Sequence, residues 1–318
     1  MTPRVSVIVP LYNKAPFVRR ALDSIARQTF KDYEVIVVDD GSTDQGPEIV
    51  RAVGDERVRL ITQANLGPGA ARNRALPEAQ GDLIAFLDAD DEWQPNYLAE
   101  VVDLLDAAGE EVASATCGYF TEPSNKSHTT MWQRRGLTEG THRVNASSSA
   151  ALVVHMLAYM SPCTTITRAA TLRRWGGFYS RDKCRYAEDS YLWLKVLMNE
   201  PIAINLQPLA RLHLEASSLS KNLAGARPVE PFLMHPGEME KSCPPHLRDL
   251  LRRVLAIRAL KTACVLGYWG HWQKASKLVS RFHVPGLWKL PYYAPSLICR
   301  TPLGGMIAKA WRRIGSPA

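Results

Sequence analysis

Residues 5–44 read "VSVIVPLYNKAPFVRRALDSIARQTFKDYEVIVVDDGSTD", and the two hydrophobic periods in this stretch decide the fold class. Residues 5–10 are β-branched and almost wholly apolar, as in a parallel strand buried on both faces. Phe17, Ala21, Leu22 and Ile25 then recur at helical spacing, with Asn13 placed as a cap and Pro16 in the first turn. Residues 33–38 repeat the apolar strand and end in Asp39-Asp40-Gly41-Ser42. Strand, helix and strand in this order form a βαβ unit.

The alternation continues outward. A helix is predicted near 47–53, a strand at 58–61, a glycine loop entering a helix at 64–76, and a fourth strand at 82–91, "DLIAFLDADD". Leu98, Val101, Val102 and Leu105 mark the next helix, and Gly109 its stop. The pattern predicts an α/β fold with a doubly wound, mainly parallel sheet. Ligands of such sheets lie beyond the carboxyl ends of the strands, where the polar clusters after strands one, two and four fall. From 110 to 187 the pattern is less regular. A strand is expected at 112–120, a polar excursion at 122–138, a helix at 145–159, a return to the sheet at 164–167 and a glycine turn at 173–180. A helix opened by two acids at 187–200 and a short strand at 202–206 follow.

Composition sets outer limits. The 318 residues are 46% hydrophobic and 22% charged, ordinary globular usage. Six scattered cysteines without a C-x-x-C pair suggest reduced thiols rather than a zinc or redox motif. The N-terminal apolar run is too short for a signal peptide, and no run is long enough for a transmembrane helix. The net charge of +8 is uneven. Residues 246–318 hold 13 Lys/Arg and one acid, whereas the remainder carries 26 basic and 30 acidic residues. This asymmetry suggests a boundary near Pro244-Pro245.

Four clusters carry potential chemistry. Asp88-Ala89-Asp90, just past a strand end, can aim two carboxylates at one hard cation, although a lone D-x-D is more often an exposed acidic turn. Asp39 and Asp40 can accept from a ribose hydroxyl or a base N–H, or can simply cap a turn. In Asn65-Leu66-Gly67-Pro68-Gly69, glycines permit close backbone approach, the helix start favours anions, and Arg72 can bond a phosphate. The same residues also suit an ordinary loop. Glu188-Asp189 can supply a general base at a helix start, or a cap.

Taken in order, "VSVIVPLYNK", "EVIVVDDGSTD", "NLGPGAARNRAL", "FLDADDEW", "GGF", "AED" and "RLHLEASSLS" resemble a family 2 glycosyltransferase of GT-A fold. The resemblance covers about residues 3–222. It implies an inverting enzyme that moves a sugar from a nucleotide-diphosphate donor, expected to be a UDP-sugar, to an acceptor hydroxyl in polysaccharide or glycolipid synthesis. It implies that Pro10, Tyr12, Asp39 and Asp40 surround the nucleotide and that Gly69 and Arg72 close over it. Asp90 would ligate Mn²⁺ or Mg²⁺, and Asp88 would hold the metal, ribose or donor sugar. Asp189 would be the base, with Glu188 beside it. His213, with Ser218 and Ser220, resembles a late loop that closes on the diphosphate, although "ARLH" departs from the family's usual Tyr-Arg before that histidine.

The implied organisation is a catalytic domain at 1–225 (nucleotide-sugar half about 1–110, acceptor half about 111–225). A linker and basic amphipathic helical tail then follow at 226–318. Leu247, Leu250, Leu251, Val254, Ile257 and Ala263 lie among Arg248, Arg252, Arg253, Arg258 and Lys261, with Trp269, Trp272, Phe282, Trp288, Tyr292, Tyr293 and Trp311 beyond. Such helices suit an anionic membrane surface. A packed bundle or an oligomer contact is the competing reading, and no nucleic-acid module is visible. The expected location is cytoplasmic, with the tail on the inner membrane face near a glycan or lipid-linked acceptor. A sugar-phosphate nucleotidyltransferase would need a glycine-rich basic loop where Leu11–Lys14 stands, and a receiver domain would be much shorter. A non-catalytic sugar-nucleotide-binding or membrane adaptor protein is the alternative from another class, against which Asp88, Asp90 and Asp189 argue.

Overall fold

The computed structural model describes residues 2–216, 227–286 and 296–301. They fall into two compact units, Met1–Val144 with His155–Ser218, and Asn145–Val154 with Leu219–Ala318. The first unit opens with β1 (Val5–Leu11), α1 (Ala15–Ala26), β2 (Tyr33–Asp39), α2 (Gly46–Arg51), β3 (Val58–Thr62), α3 (Pro68–Ala75), β4 (Leu83–Phe86), β5 (Glu92–Trp93) and α4 (Tyr97–Ala107). It continues through β6 (Ser114–Glu122), β7 (Lys126–Ser127), α5 (Thr129–Arg134) and β8 (Gly140–His142). After α6 (Ala150–Tyr159), shared between the units, come β9 (Thr165–Arg168), α7 (Ala169–Trp175), α8 (Glu188–Asn199) and β10 (Ile202–His213).

The sheet order is β3-β2-β1-β4-β9-β6-β10-β5, with β7 on β6 and β8 on β10. β1 runs parallel to β2 and β4, and β6 runs parallel to β10. β9 lies antiparallel between β4 and β6, so β1, β2, β4, β6 and β10 send their carboxyl ends to one edge. This is the predicted α/β, mainly parallel sheet. Alternation along β1 explains one of its faces. Val5, Val7, Val9 and Leu11 enter the core with Val18, Ala21, Leu22 and Ile25 of α1 and Leu98, Val101, Val102 and Leu105 of α4. Each of these Val, Leu and Ile side chains contributes about 1.5–3 kcal/mol through burial.

Several elements depart from the sequence reading. The strand predicted at 82–91 ends at Phe86, because four acids cannot continue into a buried sheet. The chain instead turns, with Asp91 N–H donating to the Asp88 carbonyl at 3.0 Å, and resumes as β5 against β10. Asn13 does not cap α1. It takes a left-handed φ of 51°, and its Oδ1 accepts from Thr43 N–H at 2.8 Å. Residues 173–175 complete α7 before the turn, and Gly176 supplies its left-handed cap. Residues 211–213 lie inside β10 rather than in a loop.

The second unit contains helices at Pro231–Met234, Pro236–Ser242, Arg248–Tyr268 and Trp272–Arg281. Pro244-Pro245 therefore falls between helices of this unit. Leu247, Leu250, Leu251, Val254, Ile257 and Ala263 are all buried, so the apolar stripe read from the sequence is used in packing. Glu230, 2% exposed, accepts from Arg258 Nη2 at 2.8 Å and Thr262 Oγ1 at 2.7 Å. Trp288, Tyr292, Tyr293 and Trp311 lie outside the described residues, as do Ser218 and Ser220. None of the six cysteines forms a disulfide. No helix of the described residues is long and apolar enough to cross a membrane.

Trp93 stacks on Tyr97 at 4.2 Å between centroids, yet the fully buried Tyr97 hydroxyl has no hydrogen-bond partner among the described residues. A buried unpaired hydroxyl costs about 1–3 kcal/mol. Tyr97→Phe is therefore expected to raise stability by about 1 kcal/mol in urea unfolding; a loss of stability would show that the hydroxyl is satisfied.

Candidate active site

The acidic clusters meet at the carboxyl edge of the sheet. Asp39 ends β2, the Asp88–Asp91 turn follows β4, and His213 ends β10. The centre of the arrangement is Arg72 on α3, only 3% exposed. Its Nη2 donates to Asp88 Oδ1 at 2.6 Å and its Nη1 to Glu188 Oε1 at 2.9 Å, while the guanidinium lies 5.1 Å from the Phe178 ring centroid. Burial alone would lower its proton affinity, but Asp88 and Glu188 outweigh that and hold it above the ordinary arginine range. Both terminal nitrogens brace carboxylates, because a buried guanidinium must be paired.

Two of the predicted glycines serve this brace. A side chain at Gly69 would come within 2.3 Å of the Tyr179 carbonyl oxygen, and one at Gly67 within 2.9 Å of the Cys184 carbonyl oxygen. The start of α3 is thus packed against the backbone of residues 179–184. The open side of Gly69 faces the Tyr179 carbonyl.

Glu188 and Asp189 begin α8, where the positive end of the helix dipole favours negative charge. The residue before them, Ala187, sits in the left-handed region at φ 56°, a conformation that costs a residue with Cβ about 1–2 kcal/mol. Burial and the neighbouring Asp189 push Glu188 up to about 7 despite Arg72. Asp189 is also raised, chiefly by burial, with Arg72 opposing. Asp189 Oδ1 accepts from Ser190 N–H at 2.7 Å, and its Oδ2 has no partner from another described residue.

On the other side of the acidic turn, Lys14 Nζ donates to Asp90 Oδ2 at 2.6 Å and to the Ala216 carbonyl at 2.7 Å. Burial and Asp88 raise Asp90, with Lys14 opposing. Asp91, which had no assigned role, is buried. Its Oδ1 accepts from His213 N–H at 2.8 Å and its Oδ2 from the Cys163 thiol at 3.3 Å. Glu92 bonds His213 Nε2 at 2.8 Å, and Glu215 bonds His213 Nδ1 at 3.0 Å. Both ring nitrogens are therefore engaged, so His213 here fastens β10 to the acidic turn rather than pointing a nitrogen at a ligand.

The nucleotide-side residues separate in the same way. Both Asp40 oxygens are engaged: Oδ1 accepts from Gln63 Nε2 at 2.7 Å and Leu66 N–H at 2.8 Å, and Oδ2 from Gly67 N–H at 2.8 Å. The Asp39 carboxylate accepts from Ser42 N–H at 2.8 Å through Oδ1, which leaves its Oδ2 without a partner among the described residues. Tyr12 is exposed and Pro10 half-buried at the same rim. The Arg185 guanidinium lies 5.8 Å from the Tyr12 ring centroid.

Among the described residues, Asp88, Asp91 and Cys163 form the one group of three metal-ligating side chains whose ligand atoms lie within 4.8 Å of one another. Burial, with Asp88 and Asp91 adding to it, pushes the Cys163 thiol well up, and it donates to Asp91, so sulfur is a poor ligand here. Asp88 Oδ2 and Asp90 Oδ1 lack partners from other described residues. Two hard oxygens on one turn, among carboxylates that repel each other, fit Mg²⁺ or Mn²⁺.

The family model for glycosyl transferase family 2 matches residues 6–161. The chain belongs to this family. Over 112 residues this family 2 member is 44% identical to the succinoglycan biosynthesis protein ExoO of Rhizobium meliloti, a match covering 35% of this chain and 32% of that protein. The matched stretches span about a third of the length of the curated relatives. A structure of Staphylococcus aureus TarS 1–349 in complex with UDP-GlcNAc superposes with a TM-score of 0.68 at 20% identity, covering 98% of this chain and 92% of that one. The mannosyltransferase PcManGT from Pyrobaculum calidifontis, in complex with GDP-Man and Mn²⁺, gives 0.59 at 22% identity, covering 99% and 88%. Both likenesses concern the fold, which is GT-A.

Within the family 2 site, sequence reasoning missed Lys14, Cys163 and the structural use of Asp91 and Glu92. The four acids in five positions were the available signal, since such a turn needs cations and donors nearby. Glu188 provides a direct test of the electrostatics. A carboxyl raised from 4.5 to about 7 binds its proton more tightly in the folded state. Its penalty is absent below about pH 4.5 and complete above about pH 7, amounting to ~3 kcal/mol at most. Stability should fall across that window, and Glu188→Gln should flatten the fall in urea titrations run at stepped pH. An unchanged slope would show that Glu188 is not the raised group.

Proposed function

We propose that the chain is an inverting glycosyltransferase. It moves a sugar from a nucleotide-diphosphate donor, with a UDP-sugar as the first candidate, to an acceptor hydroxyl on a glycan or lipid-linked carrier. The observation that carries this reading is the bridge Asp88–Arg72–Glu188, which holds the acidic turn and the start of α8 across one site. Family membership and the sugar-nucleotide complexes of the two structural neighbours support it. ExoO's name supports a place in polysaccharide synthesis.

The chemistry follows from which oxygens are uncommitted. Asp39 Oδ2 is the acceptor best placed to read the base or ribose, in preference to Asp40. Tyr12 and Pro10 would line the base. Asp90 and Asp88 would hold a divalent cation through their unpartnered oxygens. When bound, that cation would offset the negative charge that grows on the diphosphate leaving group. Asp189 accepts the acceptor's proton through Oδ2, and its raised proton affinity makes it a stronger base. Attack from the face opposite the leaving diphosphate inverts the anomeric carbon in one displacement, without a second carboxylate nucleophile. Glu188 is tied to Arg72 and serves to position this machinery.

Asp189→Asn is expected to lower turnover of a nucleotide sugar by roughly 10²–10⁴-fold while leaving donor affinity nearly intact. Asp90→Ala should weaken Mn²⁺-dependent donor binding measured by calorimetry. Undiminished turnover in the Asp189 variant would remove the base assignment.

The second unit is proposed to rest on an anionic membrane surface near the acceptor. Arg252, Lys261, Lys274, Lys277 and Arg281 are exposed, and Val265, Leu297 and Ile298 are large exposed apolar residues. The full chain should float with vesicles containing anionic lipid, should not float with neutral ones, and should be released by salt as screening requires. Absence of flotation on anionic vesicles would leave the basic charge without this role.

A further inference from the structure

Lys14 is the feature of the site that the family reading does not use. It lies immediately before α1 on the first-strand loop, with its side chain 16% exposed and that of its partner Asp90 12% exposed. Its Nζ occupies the Oδ2 side of the carboxylate proposed to hold the cation, and the same ammonium reaches the Ala216 carbonyl in the turn after β10. The neighbours of that turn are also fixed to the acidic segment: Ala216 N–H donates to the His213 carbonyl at 3.1 Å, and His213 N–H donates to Asp91. One ammonium therefore joins three segments, namely the start of α1, the acidic turn and the turn beyond β10.

The geometry points to Lys14 as a positioning residue that competes with the divalent cation for Asp90 and couples metal binding to the 214–216 turn. A lysine ammonium and a divalent cation both seek the negative charge of one carboxylate, and placing them side by side in a half-buried setting is repulsive. Cation binding at Asp90 therefore weakens the Lys14–Asp90 pair. The Lys14–Ala216 bond depends on the same ammonium position, so it loosens with the pair. The site then admits metal more weakly than its carboxylates alone would, and metal arrival frees the turn that follows β10. Arg72 cannot substitute, because its Nη groups are held on Asp88 and Glu188.

This inference rests on the reading of Asp90 as a metal ligand, and the test separates the two. Mn²⁺ binding to the full chain, without donor, is measured by electron paramagnetic resonance for wild type, Lys14→Ala, Lys14→Arg and Asp90→Ala. Lys14→Ala is expected to bind Mn²⁺ about five-fold or more tightly than wild type, Lys14→Arg to remain near wild type, and Asp90→Ala to lose binding. Binding that requires Asp90 but is unchanged or weakened in Lys14→Ala overturns the competition alone. No Mn²⁺ binding in wild type overturns the metal reading and the competition with it. Hydrogen exchange on wild type gives a second measurement independent of variant folding. Mn²⁺ should speed exchange at the 214–216 amides, and unchanged exchange under saturating Mn²⁺ overturns the coupling to that turn.

Discussion

The site depends on one buried cation. Arg72 is almost entirely removed from water, and a guanidinium in that position is tolerable only if its charge is paired; both Nη groups are engaged, while Nε has no partner among the described residues. Asp88 and Glu188 provide the pairing from two elements far apart in sequence, and the Phe178 face covers the guanidinium. The cation in turn makes it tolerable for Asp88, Glu188 and Asp189 to stand close together. Close approach of α3 to residues 179–184 is what brings the two sides within reach. Glycine at 67 and 69 is required for that approach, because any Cβ there would meet a backbone carbonyl.

The acidic turn extends the same logic. Four carboxylates in five positions are divided among different partners: Arg72 for Asp88, Lys14 for Asp90, the His213 amide and the Cys163 thiol for Asp91, and His213 with Arg20 and Arg27 for Glu92. Asp91 and Glu92 thus fasten β10 to the turn. Asp88 and Asp90 each retain one oxygen for a ligand. This division gives a rigid acidic edge with a small number of free acceptors, which is what a polar ligand site on a parallel sheet requires.

The architecture was legible because it rests on local periodicity. Buried parallel strands such as β1 and β2 show as unbroken β-branched runs, and α1 and α4 show as apolar positions at helical spacing. The order of acidic and glycine clusters identified the edge where they converge. Three features were not legible, for one shared reason. The use of Gly69 against the Tyr179 carbonyl, the bridging of Asp88 and Glu188 by Arg72, and the pairing of Lys14 with Asp90 are all long-range contacts. Residue type permits them, but spacing along the chain does not encode them. The same holds for Asp40, both of whose carboxylate oxygens are engaged by Gln63, Leu66 and Gly67, while the adjacent Asp39 keeps an oxygen without a partner among the described residues. The apolar stripe of the Arg248–Tyr268 helix was visible as a pattern, but a pattern cannot distinguish a lipid-facing surface from one packed on neighbouring helices.

The central claim is that the turn after β4 and the start of α8 form one nucleotide-diphosphate site around Arg72. The most direct test is a crystal structure of the full chain with UDP and Mn²⁺, with the ion located by its anomalous scattering. The account predicts one Mn²⁺ peak within roughly 2.5 Å of an Asp90 carboxylate oxygen, the diphosphate beside it, the nucleoside against Asp39 and Tyr12, and Arg72 still bridging Asp88 and Glu188. A nucleotide bound elsewhere, or an ion located away from Asp88 and Asp90, would contradict it.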